Sequence, residues 1–174
     1  VDTYNALGVT LDGDYAYIAD SISGIRTVDI SQPGRPTAEV VGSAATNSAV
    51  SLTVYGNYAY IADNNNGIKI LNISDPEHPS MVSGGSVSTT LAGKIVVRGN
   101  YAYVADGSGG MKILNVSDPG NPFLVPGGTV ETNNALDIAL RGDYAFVADY
   151  IEGVKIIDIS DPSAATVINT MPEG

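Results

Sequence analysis

The chain repeats itself every 43 residues, and that period decides what it can fold into. Tyr15, Tyr58, Tyr101 and Tyr144 stand at this spacing. So do Asp20, Asp63, Asp106 and Asp149, then Gly24, Gly67, Gly110 and Gly153, and Pro33, Pro76, Pro119 and Pro162. Upstream, Ala6, Ala49, Ala92 and Ala135 keep the step, as do Thr3, Thr46, Thr89 and Thr132. Four units account for 172 of 174 residues and divide the chain near 1–43, 44–86, 87–129 and 130–174 as one array. A period of this size means stacked supersecondary units, none able to bury its apolar face alone.

Within a unit the apolar period is 2, the signature of strands. In the second unit Val50, Leu52 and Val54 alternate with Ser51 and Thr53. Gly56-Asn57 interrupts, and Tyr58-Ala-Tyr-Ile-Ala62 resumes. A two-residue Gly-Asn or Gly-Asp break reads as a tight hairpin, and it recurs at Gly13, Gly99 and Gly142. Asp63-Asn-Asn-Asn-Gly67 then leads into Ile68–Ile73, which Ser74-Asp75-Pro76 ends, because proline cannot donate to a ladder. A fourth run covers Ser80 to Val87. The expected fold is therefore all-β: a β-propeller of four 43-residue, four-stranded antiparallel blades, forming a closed four-bladed ring or half of an eight-bladed ring.

Lys112-Ile-Leu-Asn-Val-Ser-Asp-Pro119 and Lys155-Ile-Ile-Asp-Ile-Ser-Asp-Pro162 resemble the LVIVD repeat of bacterial and archaeal surface proteins. Tyr101-Ala-Tyr-Val-Ala-Asp106 followed by Gly110 fits the same pattern. The chain departs from it at Gln32, where the other units carry Asp, and at Ala165, where a second proline is lost. The resemblance implies a propeller, usually exported and often set in a longer chain. It carries no catalytic residues.

In a propeller the loops between blades and those joining second to third strands share one face. The opposite face holds the Gly-Asn hairpins and Ser-Asp-Pro turns, which vary little here. The second-to-third loops do vary: Ser21-Ile22-Ser23, Asn64-Asn65-Asn66, Gly107-Ser108-Gly109 and Tyr150-Ile151-Glu152. Variable loops on a rigid frame are where binding resides, so these twelve residues are the candidate site.

The repeated acid that ends each second strand has a base six positions on: Arg26, Lys69, Lys112 or Lys155. A turn-capping carboxylate or a cross-hairpin ion pair explains this without a ligand. The competing reading is calcium, for which Asp63 and Asn65 supply hard oxygen donors in a short loop, although the distal Glu of an EF-hand is missing. On the innermost strands Gly8, Ser51, Lys94 and Asp137 share one position, and the last two are expected to form an ion pair. Asn72-Ile-Ser74 and Asn115-Val-Ser117 match the glycosylation acceptor pattern, yet Asp29 and Asp158 fill the same position, so a turn role is expected.

Composition narrows the function. With no Cys and one His, thiolate sites, disulfide scaffolds and His-rich zinc centres are excluded. That His78 lies in Pro76-Glu-His-Pro79, a turn where other units carry Arg35, Asn121 and Ala164, and reads as solvated. No nucleophile elbow or phosphate-binding motif is present. Eight basic against 19 acidic residues leave a net charge of −11, a poor match for nucleic acid or anionic lipid. No apolar run is long enough to cross a membrane as a helix, and the residues from Val1 do not read as a signal peptide. The leading expectation is a non-enzymatic extracellular or cell-surface module binding a protein or glycan partner, without a cofactor. One alternative is a lyase- or glycosidase-like enzyme using Asp137, Glu131 or Asp149 near Tyr4 or Tyr150. The other is a structural spacer in a larger surface protein.

Val1 aligns with the start of a unit, so no strand exchange is expected to staple the ring. An open array would leave two blade faces in water. At roughly 600 Å² of apolar area each, that forgoes on the order of 15 kcal/mol per face, an upper bound. Something must cover them: closure into four blades, a homodimer of eight, or further blades in a longer chain. The last two are expected.

Overall fold

The computed structural model describes residues 3–32, 34 and 39–171. Val1, Pro33 and Arg35 lie outside the described residues. Among the described residues sixteen strands form four antiparallel sheets in sequential order, each one repeat unit. Blade 1 is β1 Gly8–Asp12, β2 Tyr15–Ala19, β3 Ile25–Asp29 and β4 Val40–Ala44. Blade 2 is β5 Ser51–Tyr55, β6 Tyr58–Ala62, β7 Ile68–Asn72 and β8 Ser80–Val87. Blade 3 is β9 Lys94–Arg98, β10 Tyr101–Ala105, β11 Met111–Asn115 and β12 Phe123–Val130. Blade 4 is β13 Ala135–Arg141, β14 Tyr144–Asp149, β15 Gly153–Asp158 and β16 Thr166–Met171. In the first three blades the fourth strand ends one residue beyond the unit boundary read from the repeat, at Ala44, Val87 and Val130.

The local chemistry accounts for these elements. In β5–β6 the register pairs Tyr55 with Tyr58, leaving only Gly56-Asn57 to turn, with Gly56 at φ 58°. The Tyr-Ala-Tyr-Ile/Val-Ala motif supplies alternating faces, and its alanines are small enough for neighbouring sheets to approach. Each third-to-fourth strand pairing shifts register once, between Lys69 and Leu71 in blade 2. That irregularity bends the outer strand, as bulges do.

Three apolar clusters hold the stack together, one at each junction between successive blades. Every junction has the same anatomy. A face carrying an aromatic, such as Tyr60 with Ile68 and Ile70, packs on an aliphatic face of the next blade, such as Ile95, Val97 and Val104. The innermost strands β1, β5, β9 and β13 succeed one another around the channel, and β1 packs on β5, β5 on β9 and β9 on β13. Val9 and Leu11 on β1 are largely exposed, so the described ring is not closed.

Candidate functional site

The loop face is built by four buried carboxylates. Asp20, Asp63, Asp106 and Asp149 have essentially no solvent exposure. Each accepts hydrogen bonds from two consecutive backbone N–H groups in the crossing that enters its own blade. Asp106 Oδ2 accepts from Thr90 N–H (2.9 Å) and Oδ1 from Leu91 N–H (2.7 Å). Asn133 and Asn134 donate to Asp149 at 2.8 and 2.7 Å, Tyr4 and Asn5 to Asp20 at 3.0 and 2.7 Å. Three of the four also meet the expected base: Arg26 Nε at 2.7 Å from Asp20, Lys112 Nζ at 3.5 Å from Asp106, and Lys155 Nζ at 3.6 Å from Asp149. Burial pushes the Asp20 carboxyl up, but the Tyr4 and Asn5 N–H groups and the Arg26 guanidinium outweigh it and hold it below the ordinary aspartate value. Both Asp63 oxygens are taken by Asn47 and Ser48 N–H, at 3.2 and 2.6 Å, while Asn65 is exposed. Among the described residues no group of three acidic or histidine side chains is placed to hold a metal ion.

The carboxylates fix the loops, and the loops join the blades. Ser21 exchanges two backbone hydrogen bonds with Ala49, each 3.1 Å, and Gly107 exchanges two with Ala135, each 3.0 Å. Asn64 and Ala92 form the equivalent bridge, with Ala92 N–H donating to Asn64 O at 3.0 Å. Ser21 and Asn64 adopt φ of 50° and 54° to do so, and Gly107 56°. Tyr150 occupies the fourth equivalent position without a positive φ, and its N–H donates to Asn134 O at 3.1 Å instead. The three bridges each join residues 28 apart, so the partner position for Tyr150 falls beyond the 174 residues of the sequence.

This sorts the twelve candidate residues. The second residue of every loop, Ile22, Asn65, Ser108 and Ile151, is exposed. Of the third residues, Ser23, Asn66 and Gly109 fold back half-buried, with N–H bonds to the Asp carbonyl (2.9, 2.9 and 2.8 Å). Glu152 remains exposed and pairs with Lys155 Nζ at 2.5 Å, an interaction that holds Lys155 above the ordinary lysine range. Of the first residues, Asn64 and Gly107 come together on one cleft of about 200 Å³, walled by Leu91, Leu136 and Val50 with Asn134 at its edge. Tyr150 lies beside Asn134 and is highly exposed.

The cleft passes into a more polar cavity of about 270 Å³ at the channel mouth, where Ser51, Lys94 and Asp137 join Leu7, Val50 and Leu136. Lys94 and Asp137 share this cavity but do not form the expected ion pair; Asp137 Oδ1 accepts from Ile138 N–H at 2.8 Å. A register break lies between Ala135 and Asp137, where β13 pairs with β14. Neither Glu131 nor the rings of Tyr4 and Tyr150 line the cavity.

The walls of the cleft, Leu91 and Leu136, were not among the sequence candidates. A signal for Leu91 existed. Leu91 stands where the other units carry Asn5, Ser48 and Asn134, an apolar residue at an otherwise polar repeat position. On the opposite face, Asn72 and Asn115 accept from Ser74 and Ser117 N–H at 2.9 and 3.0 Å, as Asp29 and Asp158 do from Ser31 and Ser160. The turn role read from the sequence is therefore present at all four positions. His78 is exposed, 3.0 Å from Asp75.

Sixteen strands in four sequentially ordered sheets, packed face to face around inner strands, define a protein built of β-propeller blades. The LVIVD repeat matches residues 5–44, 47–89, 91–131 and 133–171, and the chain belongs to that family. Among solved structures it is similar to the computationally designed Ika4 protein, with 10% identity and a TM-score of 0.71 over 92% of this chain and 94% of that one. It is also similar to the computationally designed Ika8 protein, with 11% identity and a TM-score of 0.70 over 94% of this chain and 48% of that one, so it spans about half of that longer chain. No curated protein matches it.

Proposed function

We propose that the chain is a binding module that presents its loop face, outside the cell or on its surface, to a protein or glycan partner. The observation that carries this reading is the cleft formed by the loops of blades 2 and 3 with the crossings that enter blades 3 and 4. Its leucine walls can take an apolar side chain or the apolar face of a sugar ring, and the Asn64 and Asn134 amides can fix orientation. The buried carboxylates hold the surrounding backbone, so little ordering entropy is lost on binding. A chain net charge of −11 disfavours nucleic-acid or anionic-lipid contact, and membership of the LVIVD repeat family favours an exported role.

The enzyme reading has less support, because the acids it requires do not converge. Asp149 is buried as a latch, Glu131 lies off the channel cavity, and Asp137 stands there without a second carboxylate. Probing a glycan array and a panel of immobilised extracellular proteins with labelled chain tests the binding reading. A specific signal that Leu91→Glu with Leu136→Glu abolishes, and Tyr55→Glu on the hairpin face leaves intact, is expected. A signal insensitive to the leucine pair, or turnover of a bound glycan, would overturn it.

A further inference from the structure

The two end faces of the array are the separated halves of one junction. Val9 and Leu11 on the aliphatic face of blade 1 are 67% and 65% exposed, whereas Leu52, Ile95 and Ile138, which stand where Val9 does, are 5%, 0% and 3% exposed. At the other end, blade 4 presents the aromatic-bearing face. Phe146, Val154 and Ile156 are only half-buried there, although Tyr103, Met111 and Ile113 at the same positions of blade 3 are buried. Ile168 is 55% exposed where its counterpart Val125 is 8%. The face missing from one end is thus the face left over at the other.

The polar edge of the junction is divided in the same way. Between blades 3 and 4, Arg98 lies over the Tyr103 ring, 5.8 Å from its centre, and donates to the Gly142 carbonyl, next to Asp143. One repeat on, blade 4 carries Arg141 and Phe146 at these positions. Blade 1 carries the receiving half: Gly13 stands where Gly142 does, and Asp14 where Asp143 does. Arg141 and Asp14 are both exposed. A cation on one end therefore faces a carbonyl and a carboxylate on the other.

We propose that two copies of the chain associate head to tail, blade 4 of each on blade 1 of the other, closing a two-fold ring of eight blades. Complementary rather than identical end faces generate a ring when the rotation closes. The four blades superpose on 48% of the Ika8 chain with a TM-score of 0.70, so the same fold is compatible with a chain of about twice this length. If each end face buries roughly 600 Å², the two junctions together bury about 2,400 Å², against about 2,000–5,000 Å² for permanent dimers. The outer rim of the new junction is looser than the internal ones. A Cβ at Gly84 or Gly127 would lie 2.2 Å from the next blade's Gly120 or Ser163 carbonyl, and blade 4 has Thr170 and Met171 where blade 3 has Gly127 and Gly128. The contact is carried mainly by the inner three strands, with Ile168 of β16 at its margin.

Light scattering after size exclusion tests this without any ligand. A mass of twice the 17.9 kDa chain, held on tenfold dilution, is expected. Arg141→Glu sets an anion against Asp14 and should shift the mass to that of one chain, with an unchanged far-ultraviolet dichroism spectrum. Asp14→Arg alone should do the same, and the two together should restore the dimer. A single-chain mass for the wild type, open-ended polymers, or a dimer indifferent to both substitutions and to Val9→Asp would overturn the proposal.

Discussion

The two faces of the array use the same residue type for opposite ends. On the loop face four aspartates are buried, each bound to two backbone N–H groups of a neighbouring crossing some 15 or 16 residues away. On the hairpin face Asp29, Asp118, Asp158 and Asp161 are partly or fully exposed and bond only within their own turns, to the N–H two residues on and, for Asp161, also to the Ser163 hydroxyl. The first arrangement ties distant backbone together, and the second only shapes its own turn. A loop face fixed by buried backbone contacts can vary its outward side chains without losing shape. That is why Ile22, Asn65, Ser108 and Ile151 can differ so much in chemistry at one equivalent place.

This contrast can be broken residue by residue. Asp106→Ala should show the largest effect, about 3 kcal/mol or more in chemical denaturation, since it strands two N–H groups and removes the counter-charge of the mostly buried Lys112 amine, which keeps only the Gly109 carbonyl. Asp118→Ala on the hairpin face should cost under about 1 kcal/mol. If the two proved equal, the latch would not be what distinguishes the faces.

Glycines at positive φ give the next largest contrast. An alanine at Gly110, on the loop face, would put its Cβ 2.3 Å from the Val130 carbonyl, so Gly110→Ala should lower stability by about 3 kcal/mol. At Gly99 in the hairpin there is nothing within 4 Å, and only the φ of 59° is penalised, at about 1–2 kcal/mol. Thermal melts of the two variants, side by side, measure the difference.

Acidity sharpens the comparison further. Because the folded-state Asp20 carboxyl lies below its ordinary value, its contribution is present above the unfolded pKa, near about 3.9, and disappears as pH falls through the lower folded value. Stability of the wild type should therefore decline below about pH 4, and Asp20→Asn should flatten that limb while lowering the neutral plateau. Equilibrium unfolding from pH 2 to 7 reports both.

The smallest effect is a change of sign. Thr53 Oγ1 donates to the Ile95 carbonyl at 3.0 Å, so Thr53→Val should destabilise by about 1 kcal/mol. Thr89 buries a hydroxyl that has no partner among the described residues, as Thr46 and Thr132 do, and Thr89→Val should stabilise by a few tenths to about 1 kcal/mol. Denaturation midpoints resolve the two directions.

Much of this was legible in the sequence, for particular reasons. The hairpins at Gly56-Asn57 and its equivalents follow from the need for positive φ between alternating runs, and β8 begins at Ser80 and ends at Val87, where the fourth run was read. The repeated Asp and its distant base were visible as a pair, and three of the four pairs form. The backbone donors on each Asp were not visible, because N–H groups leave no trace in residue type. Lys94 and Asp137 misled for a similar reason: adjacency in the repeat said nothing of the register break beside Ala135. The cleft between Leu91 and Leu136 depends on residues from two crossings meeting.

By itself the sequence determined the unit, its four strands, its turns and which faces are apolar, because period-2 alternation and glycine at positive φ are local properties. Tertiary structure alone decided which loops share a cleft, that the carboxylates are buried latches, and that the end faces are left as unlike halves. Those outcomes depend on how one sheet lies on the next, and that rotation accumulates over four blades without being written at any one residue.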